Sequence, residues 1–248
     1  MADDKLTGLD RWILGEFSKM EAEVIAAYEK SEFHVVYQKL SQFAGVELSS
    51  IYHDVIKDRC YTDPANSLRR RSTQTALHRL VTGLCQMLAP ILAYTADEAW
   101  ELISGKSVNS VHESEFKPSN LALSENEQSI WKNLFELRTL ALPELEKARQ
   151  AKQIGKALDA ALMFVGRDSR LESTDLQWLS TLAELLNVSD LDFCFAKESE
   201  FDLKVSVSKA DGQKCERCWH WEMDLGQSAE HPNLCGRCVK AVMEFQAQ

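Results

Sequence analysis

Cys215-Glu-Arg-Cys218 and Cys235-Gly-Arg-Cys238, separated by sixteen residues, decide how the C-terminal part of this chain folds. Each pair offers two thiols from one tight turn, and the loop between them lets the pairs meet around a single tetrahedral Zn²⁺. Gly236 is expected to supply the permissive backbone of the second turn. Two disulfides or four unrelated thiols are the alternatives, but nothing else in the chain looks secreted. Four thiolates saturate zinc, so the expected role is structural and not that of a Lewis acid. His220 and His231 are competent ligands by chemistry, yet with four cysteines in register both are expected outside the set. Trp219-His220-Trp221, with Arg217 and Arg237 inside the two knuckles, places aromatic rings beside guanidinium groups. That combination makes a stacking platform for unpaired bases; the plainer alternative is a tryptophan that caps the small core around the metal.

The remaining composition is ordinary for a globular protein. The 248 residues are 45% hydrophobic and 27% charged, enough for one large domain or two to three small ones. With 28 basic and 38 acidic residues the formal charge is −10, so bulk electrostatics oppose nucleic acid and any such binding needs local basic patches. The acidic start Met1-Ala-Asp-Asp-Lys5 lacks the apolar core of a signal peptide. The longest apolar run, Leu80 to Tyr94, is too short for a bilayer and contains Gln86 and Pro90, so no membrane role is expected. Cys60, Cys85 and Cys194 have no regular spacing and read as free thiols in a cytoplasmic protein.

Apolar residues at Leu9, Trp12, Ile13, Phe17, Met20, Val24 and Tyr28 draw one stripe along a helix. Ser31 reads as the N-cap of a second helix that buries Phe33, Val36, Tyr37, Leu40, Phe43, Leu48, Ile51 and Val55. A loop at Tyr61-Thr-Asp-Pro-Ala-Asn66 precedes a third helix. It starts near Ser67, turns Leu77, Leu80, Val81, Leu84 and Leu88 inward, and meets Pro90. Thr95-x-x-Glu98 reads as a capping box for a short helix through Trp100, and Ser104 to Asn120 as an irregular linker. A helix from about Asn126 to Gln153, which Pro143 should kink, leads to a small α/β unit. In it, a buried strand ends at Gly166, a helix spans Asp175 to Leu186, and strands run from Leu191 to Ala196 and Leu203 to Ser208. The expected architecture is therefore mainly α. A helical bundle (1–118) comes first, then a connecting α/β subdomain (119–210) and a four-cysteine zinc module (211–248).

Between Lys57 and Arg79 six basic residues face two acids, Asp58 and Asp63, leaving +4 in a chain whose total is −10. Arg69, Arg70 and Arg71 stand at a helix start, where the macrodipole favours acids, so they are candidates for meeting phosphate. A solvated face with ion pairs to neighbouring acids is the competing account.

These residues carry a family resemblance. Leu9-Asp-Arg-Trp12, Phe33-His34, Ile56-Lys-Asp-Arg59, Arg71-Ser-Thr-Gln-Thr-Ala76, Leu88-Ala-Pro-Ile91 and Thr95-Ala-Asp-Glu-Ala-Trp100 occur in that order. The set resembles the anticodon-binding helical domain of class I tRNA synthetases for branched aliphatic amino acids. Leu145-Glu-Lys-Ala-Arg149 with Ile154-Gly155, and Lys214 to His220 with Leu234 to Val239, are similar to the end of bacterial isoleucyl-tRNA synthetases, zinc module included. The resemblance spans about residues 6 to 243. Ala157 stands where that family usually has Ser, and neither the HIGH nor the KMSKS signature of its nucleotide-binding fold is present.

The resemblance implies a tRNA-binding part of isoleucine–tRNA ligase, with one structural Zn²⁺ on Cys215, Cys218, Cys235 and Cys238 and isoleucine tRNA as partner. It would orient the anticodon stem-loop for ATP-dependent aminoacylation by a separate catalytic part, and should show no isoleucine-dependent pyrophosphate exchange alone. Arg69, Arg70 and Arg71 would face phosphates, and Arg217, Trp219 and Trp221 unpaired bases or the loop backbone. A free-standing synthetase-derived tRNA-binding or regulatory protein, or a zinc-dependent DNA-binding module, is the alternative.

Overall fold

A computed structural model describes residues 1–166, 176–195 and 203–246. The chain divides into two compact units: Met1–Cys60 with Asn66–Leu123, and Tyr61–Ala65 with Ser124–Gln248.

In the first unit, α1 (Gly8–Glu29) buries Leu9, Trp12, Ile13, Phe17, Met20 and Val24 along the predicted stripe. It packs on α2 (Phe33–Phe43), which continues through a π-helical stretch, Ala44–Tyr52, into the short helices α3 (His53–Val55) and α4 (Lys57–Thr62). Ser31 is not the N-cap of α2. Its backbone is left-handed at φ 58°, Glu32 holds the cap position, and Ser31 closes the turn from α1 by donating its N–H to Tyr28. Within α2 only Val36, Leu40 and Phe43 are buried; Phe33 and Tyr37 lie exposed, because one short helix cannot turn so wide a stripe into the core.

Helix α5 (Leu68–Leu88) starts where predicted, with the Ser67 hydroxyl accepting from the Arg70 N–H. Val81 is exposed, while Ala76, Leu80 and Gly83 are buried, and Gly83 lies against Phe17 of α1. A Cβ on Gly83 would come within 2.7 Å of Phe17, so the glycine sets how closely the two helices approach. Helix α6 (Ala93–Glu101) begins two residues before Thr95 and has no side-chain cap, so the Thr95–Glu98 pair is interior to it. The stretch after α6 folds back instead of trailing as a linker. Asp97 accepts from the Ser110 hydroxyl and the Val111 N–H, and Val111 joins Trp100, Ala96 and Cys85 in a satellite core.

A buried polar hub ties the bundle together. Asp10, 0% exposed, accepts hydrogen bonds from Tyr52 (2.6 Å), Thr7 (2.7 Å), Ser72 (2.5 Å) and Thr73 (3.1 Å), and faces the Arg59 guanidinium at 3.4 Å. Asp10 lies in α1, and its partners come from the turn before it, the π-helical stretch, α4 and α5. Burial, and then the neighbouring Asp10 charge, raise the Tyr52 pKa well above its usual value, so this phenol stays a donor.

The second unit opens on α7 (Glu125–Gln150), started by a full Ser124–Glu127 capping box. Pro143 lies inside the helix without ending it. Strands β1 (Ala160–Gly166), β2 (Asp190–Phe195) and β3 (Lys204–Lys209) form a sheet of order β2-β1-β3, parallel on one side of β1 and antiparallel on the other. Helix α8 (Leu176–Leu186) lies between β1 and β2 in sequence. The expected ends at Asp175 and Ala196 fall outside the described residues. Although β1 reads as a continuous apolar run, only Ala160, Leu162, Phe164 and Gly166 are buried. Its other face is open enough to leave Met163 exposed. Helix α7 packs on β3 and α8, where Trp131 meets Trp178 edge to face.

The zinc-finger segment follows, with a minimal hairpin of β4 (Gln213–Lys214) and β5 (Trp221–Glu222), and then α9 (Gly236–Gln246). Among the described residues no helix is long and apolar enough to cross a membrane.

Candidate functional site

The hairpin β4–β5 frames the first knuckle, and the first turn of α9 carries the second. Cys215, Cys218, Cys235 and Cys238 are all buried, and their Sγ atoms lie within 4.8 Å of one another. The Cys218 and Cys235 sulfurs are 3.7 Å apart. That is far beyond a disulfide bond, and close to the edge of about 3.8 Å that a tetrahedron with Zn–S of ~2.3 Å would have. The donor set therefore fits one Zn²⁺. Neither His220 nor His231 belongs to the cluster; the His220 carbonyl accepts from the Cys215 N–H instead.

The surroundings brace the knuckles. The Cys235 N–H donates to the Cys215 sulfur (3.4 Å) and Arg217 reaches the Cys238 sulfur (3.6 Å). A hydrogen bond from Cys238 holds the Cys218 thiol down at about 4, while burial pushes Cys235 up to about 11. The Cys218 thiolate thus forms easily, whereas Cys235 needs the charge of a cation to lose its proton. Gly236 has a different role from the expected one. Its φ is not left-handed; a Cβ there would sit 2.6 Å from the Asp224 carboxylate, which accepts from the Gly236 N–H (2.9 Å) at the start of α9.

The two arginines in the knuckles turn to Tyr61–Ala65, the end of α4 and the turn after it, which belong to this unit. Arg217 donates to the carbonyls of Thr62 and Tyr61, and Arg237 pairs with Asp63 (3.2 Å). Trp221 is half-buried: its indole N–H donates to Asp159 (3.0 Å), its backbone N–H to Ser189, and Lys209 lies 4.3 Å from its ring centre. It anchors the knuckle to the α/β sheet. Trp219 is the opposite case. It is 54% exposed, with Lys156 at 5.1 Å from its ring, and its backbone is left-handed at φ 68°, strained for a bulky residue. The tryptophan does not cap the metal core.

In the first unit, Arg69 pairs with Asp58 (2.8 Å), Arg71 is exposed and donates to Gln74 (3.2 Å), and the Arg70 side chain is half-buried. Much of the Lys57–Arg79 charge is internally matched. Arg59, 4% exposed, faces Asp10; Lys57 pairs with Asp54 and Arg79 with Asp3. A count of charges along the sequence could not see these partners, since Asp3 and Asp10 come from the far end of the chain.

The sequence reading passes over Lys152, Lys156, Lys209 and Lys214, which the fold gathers around Asp159 and the two tryptophans. They are spread over sixty residues of sequence, so only the topology of the sheet shows them as neighbours. Burial works to raise the Asp159 carboxyl, but hydrogen bonds from Trp221, Lys214 and the Lys156 amide outweigh it and hold its pKa at about 2.

Comparison with known proteins accords with this geometry. The family model described as the anticodon-binding domain of tRNA ligase matches residues 10–164, and that described as the zinc finger found in FPG and IleRS matches residues 212–241. Together with the four-thiol cluster, the second match makes the metal a structural zinc. An isoleucine–tRNA ligase from Syntrophotalea carbinolica is 40% identical over 98% of the chain, one from Sodalis glossinidius 36% over 98%, and one from Yersinia enterocolitica 38% over 96%. The chain spans 27% of the length of each of these relatives. The chain belongs to the anticodon-binding domain family of tRNA ligases, and its similarity to isoleucine–tRNA ligases runs on through the zinc finger.

Proposed function

We propose that the chain holds the anticodon stem-loop of isoleucine tRNA, so that the acceptor end reaches a catalytic domain that performs ATP-dependent aminoacylation. Its contribution is orientation, not bond making. Cys215, Cys218, Cys235 and Cys238 are the four zinc ligands, and the metal fixes a segment with too few apolar residues to fold on its own core. The observation that carries the reading is the exposed, left-handed Trp219 on the zinc knuckle, in a chain whose matches are anticodon-binding domains of tRNA ligases.

Of the six residues considered for RNA, Trp219 and Arg71 have the exposure that contact requires. Trp219 takes the base-stacking role, and Arg71, with Arg69 and Arg70 beside it, meets phosphate. Arg217 and Trp221 support Trp219 from below by fixing its knuckle to Tyr61, Thr62 and Asp159.

Filter binding of isoleucine tRNA against an unrelated tRNA tests this. Trp219→Ala should lose about 1–3 kcal/mol of the preference, the value of one base stacked on an aromatic ring, with zinc content unchanged. Arg71→Ala should weaken both tRNAs alike. A zinc-loaded Trp219→Ala protein with full discrimination would refute the assignment of base recognition to this knuckle.

A further inference from the structure

The second unit contains a cleft whose lining shares only Trp221 with the expected contacts. Its volume is about 610 Å³, and its lining includes Lys152, Lys209, Lys214, Arg149, Asp159 and Trp221. Four cations against one carboxylate leave +3 locally, in a chain whose net charge is −10. Arg149 is engaged by Glu146 and Lys214 by Asp159. Lys152 and Lys209 form no ion pair among the described residues, and neither does Lys156 at the edge towards Trp219. These exposed cations differ from the matched ones between Lys57 and Arg79, and Asp159 is the one carboxylate among the described residues that line the cleft.

The position of Lys152 adds a second argument. Helix α7 ends in a Schellman turn: the Gln153 N–H donates to Ala148 and the Lys152 N–H to Arg149 (both 3.0 Å). The left-handed residue of such a turn is usually Gly, yet here it is Lys152 at φ 58°. A lysine there carries a backbone cost that glycine would not, and it sets a cation at the mouth of the cleft. Lys209, from β3, stands over the Trp221 ring on the other side.

We propose that this cleft binds the sugar–phosphate backbone of an unpaired RNA strand, with Lys152 and Lys209 each meeting a phosphate and Lys156 guiding the strand towards Trp219. Flexible lysines beside an aromatic ring suit a strand whose backbone is tracked without sequence reading. The volume accommodates a nucleotide-sized group. The proposal rests on the tRNA-binding reading and adds a phosphate track that is independent of base identity.

The test uses the zinc-loaded full chain and a short unpaired RNA oligonucleotide, with binding followed by fluorescence anisotropy across a salt series. Lys152→Asn keeps a residue that tolerates a left-handed backbone; Lys209→Gln removes the charge and keeps an unbranched polar side chain. The double variant should bind several-fold more weakly at low salt. Its slope of log K against log salt should be shallower by about 1.4, or 0.7 for each lost phosphate contact. Lys152→Asn alone, which leaves Trp221 untouched, should show about half that change. An unchanged slope in a folded, zinc-loaded double variant would overturn the proposal, as would a wild-type chain that binds no unpaired RNA. Isoleucine tRNA and an unrelated tRNA measured in parallel separate the two readings. If the wild type has no isoleucine preference while the slope change persists, the proposed function falls and the cleft stands. If the preference survives with no slope change, the cleft falls alone.

Discussion

Asp10→Ala should destabilise the N-terminal unit by about 3–5 kcal/mol, the range for removing one partner of a buried ion pair. The carboxylate is fully buried and serves four hydroxyl donors as well as the Arg59 guanidinium, itself only 4% exposed. Deleting it takes the anion from beside Arg59 and the acceptor from Tyr52, which is also buried. The hydroxyl losses do not add in full, because all four share one carboxylate and several can rotate to other acceptors. Asp10→Asn, which keeps a carbonyl acceptor and loses the charge, should fall between wild type and Asp10→Ala. Asp10→Leu with Arg59→Met removes both charges and should recover part of the loss, since apolar replacement of a buried pair is often neutral. Urea unfolding followed by helical circular dichroism, run as a double-mutant cycle, gives the coupling directly. Ser72 and Thr73 follow Arg71 in α5, so loosening the hub should also weaken tRNA binding through the arginines. A cost below about 1 kcal/mol for Asp10→Ala, or a double variant that loses the sum of the singles, would refute the claim that this pairing organises the bundle.

Cys218→Ser should release zinc and loosen the chain from about residue 211 onward while the helices of the first unit persist; metal analysis with limited proteolysis checks both, and full zinc retention would refute it. Gly236→Ala should destabilise the zinc finger by about 1–3 kcal/mol, because the new Cβ would sit 2.6 Å from Asp224. A chelator competition should then strip zinc faster than from wild type, and equal rates would mean that the Asp224 side chain gives way. Asp159→Asn should lose stability with a defined pH dependence. The folded pKa of about 2 lies below the ordinary 3.8, so the carboxylate's contribution is complete above about pH 4 and disappears as pH falls towards 2. The gap in unfolding midpoint between wild type and Asp159→Asn should close across that interval, and a gap independent of pH would contradict it.

What the sequence revealed and what it hid divide along a physical line. The spacing of Cys215, Cys218, Cys235 and Cys238 was legible because a metal imposes its geometry on residues close in sequence. The α1 stripe and the start of α5 near Ser67 were legible for the same reason, as local patterns in the sequence. Ser31 misled, because a serine before an apolar run serves equally as the left-handed residue that closes the preceding helix. Phe33, Tyr37 and Val81 misled because apolar spacing says which face they share and not whether a partner covers it. The charge count between Lys57 and Arg79 did not include the long-range pairing by which Asp10 and Asp3 face Arg59 and Arg79. The Lys152–Lys209 cleft was hidden for the converse reason: a sheet brings distant lysines together with no local signature at all. A chain with an excess of acids can therefore still present a cationic cleft, because folding matches part of its charge in pairs and gathers Lys152, Lys209 and Lys214 around the single carboxylate of Asp159. For an RNA-binding surface on a chain of charge −10, the ion pairs a cation lacks are more informative than the cations themselves.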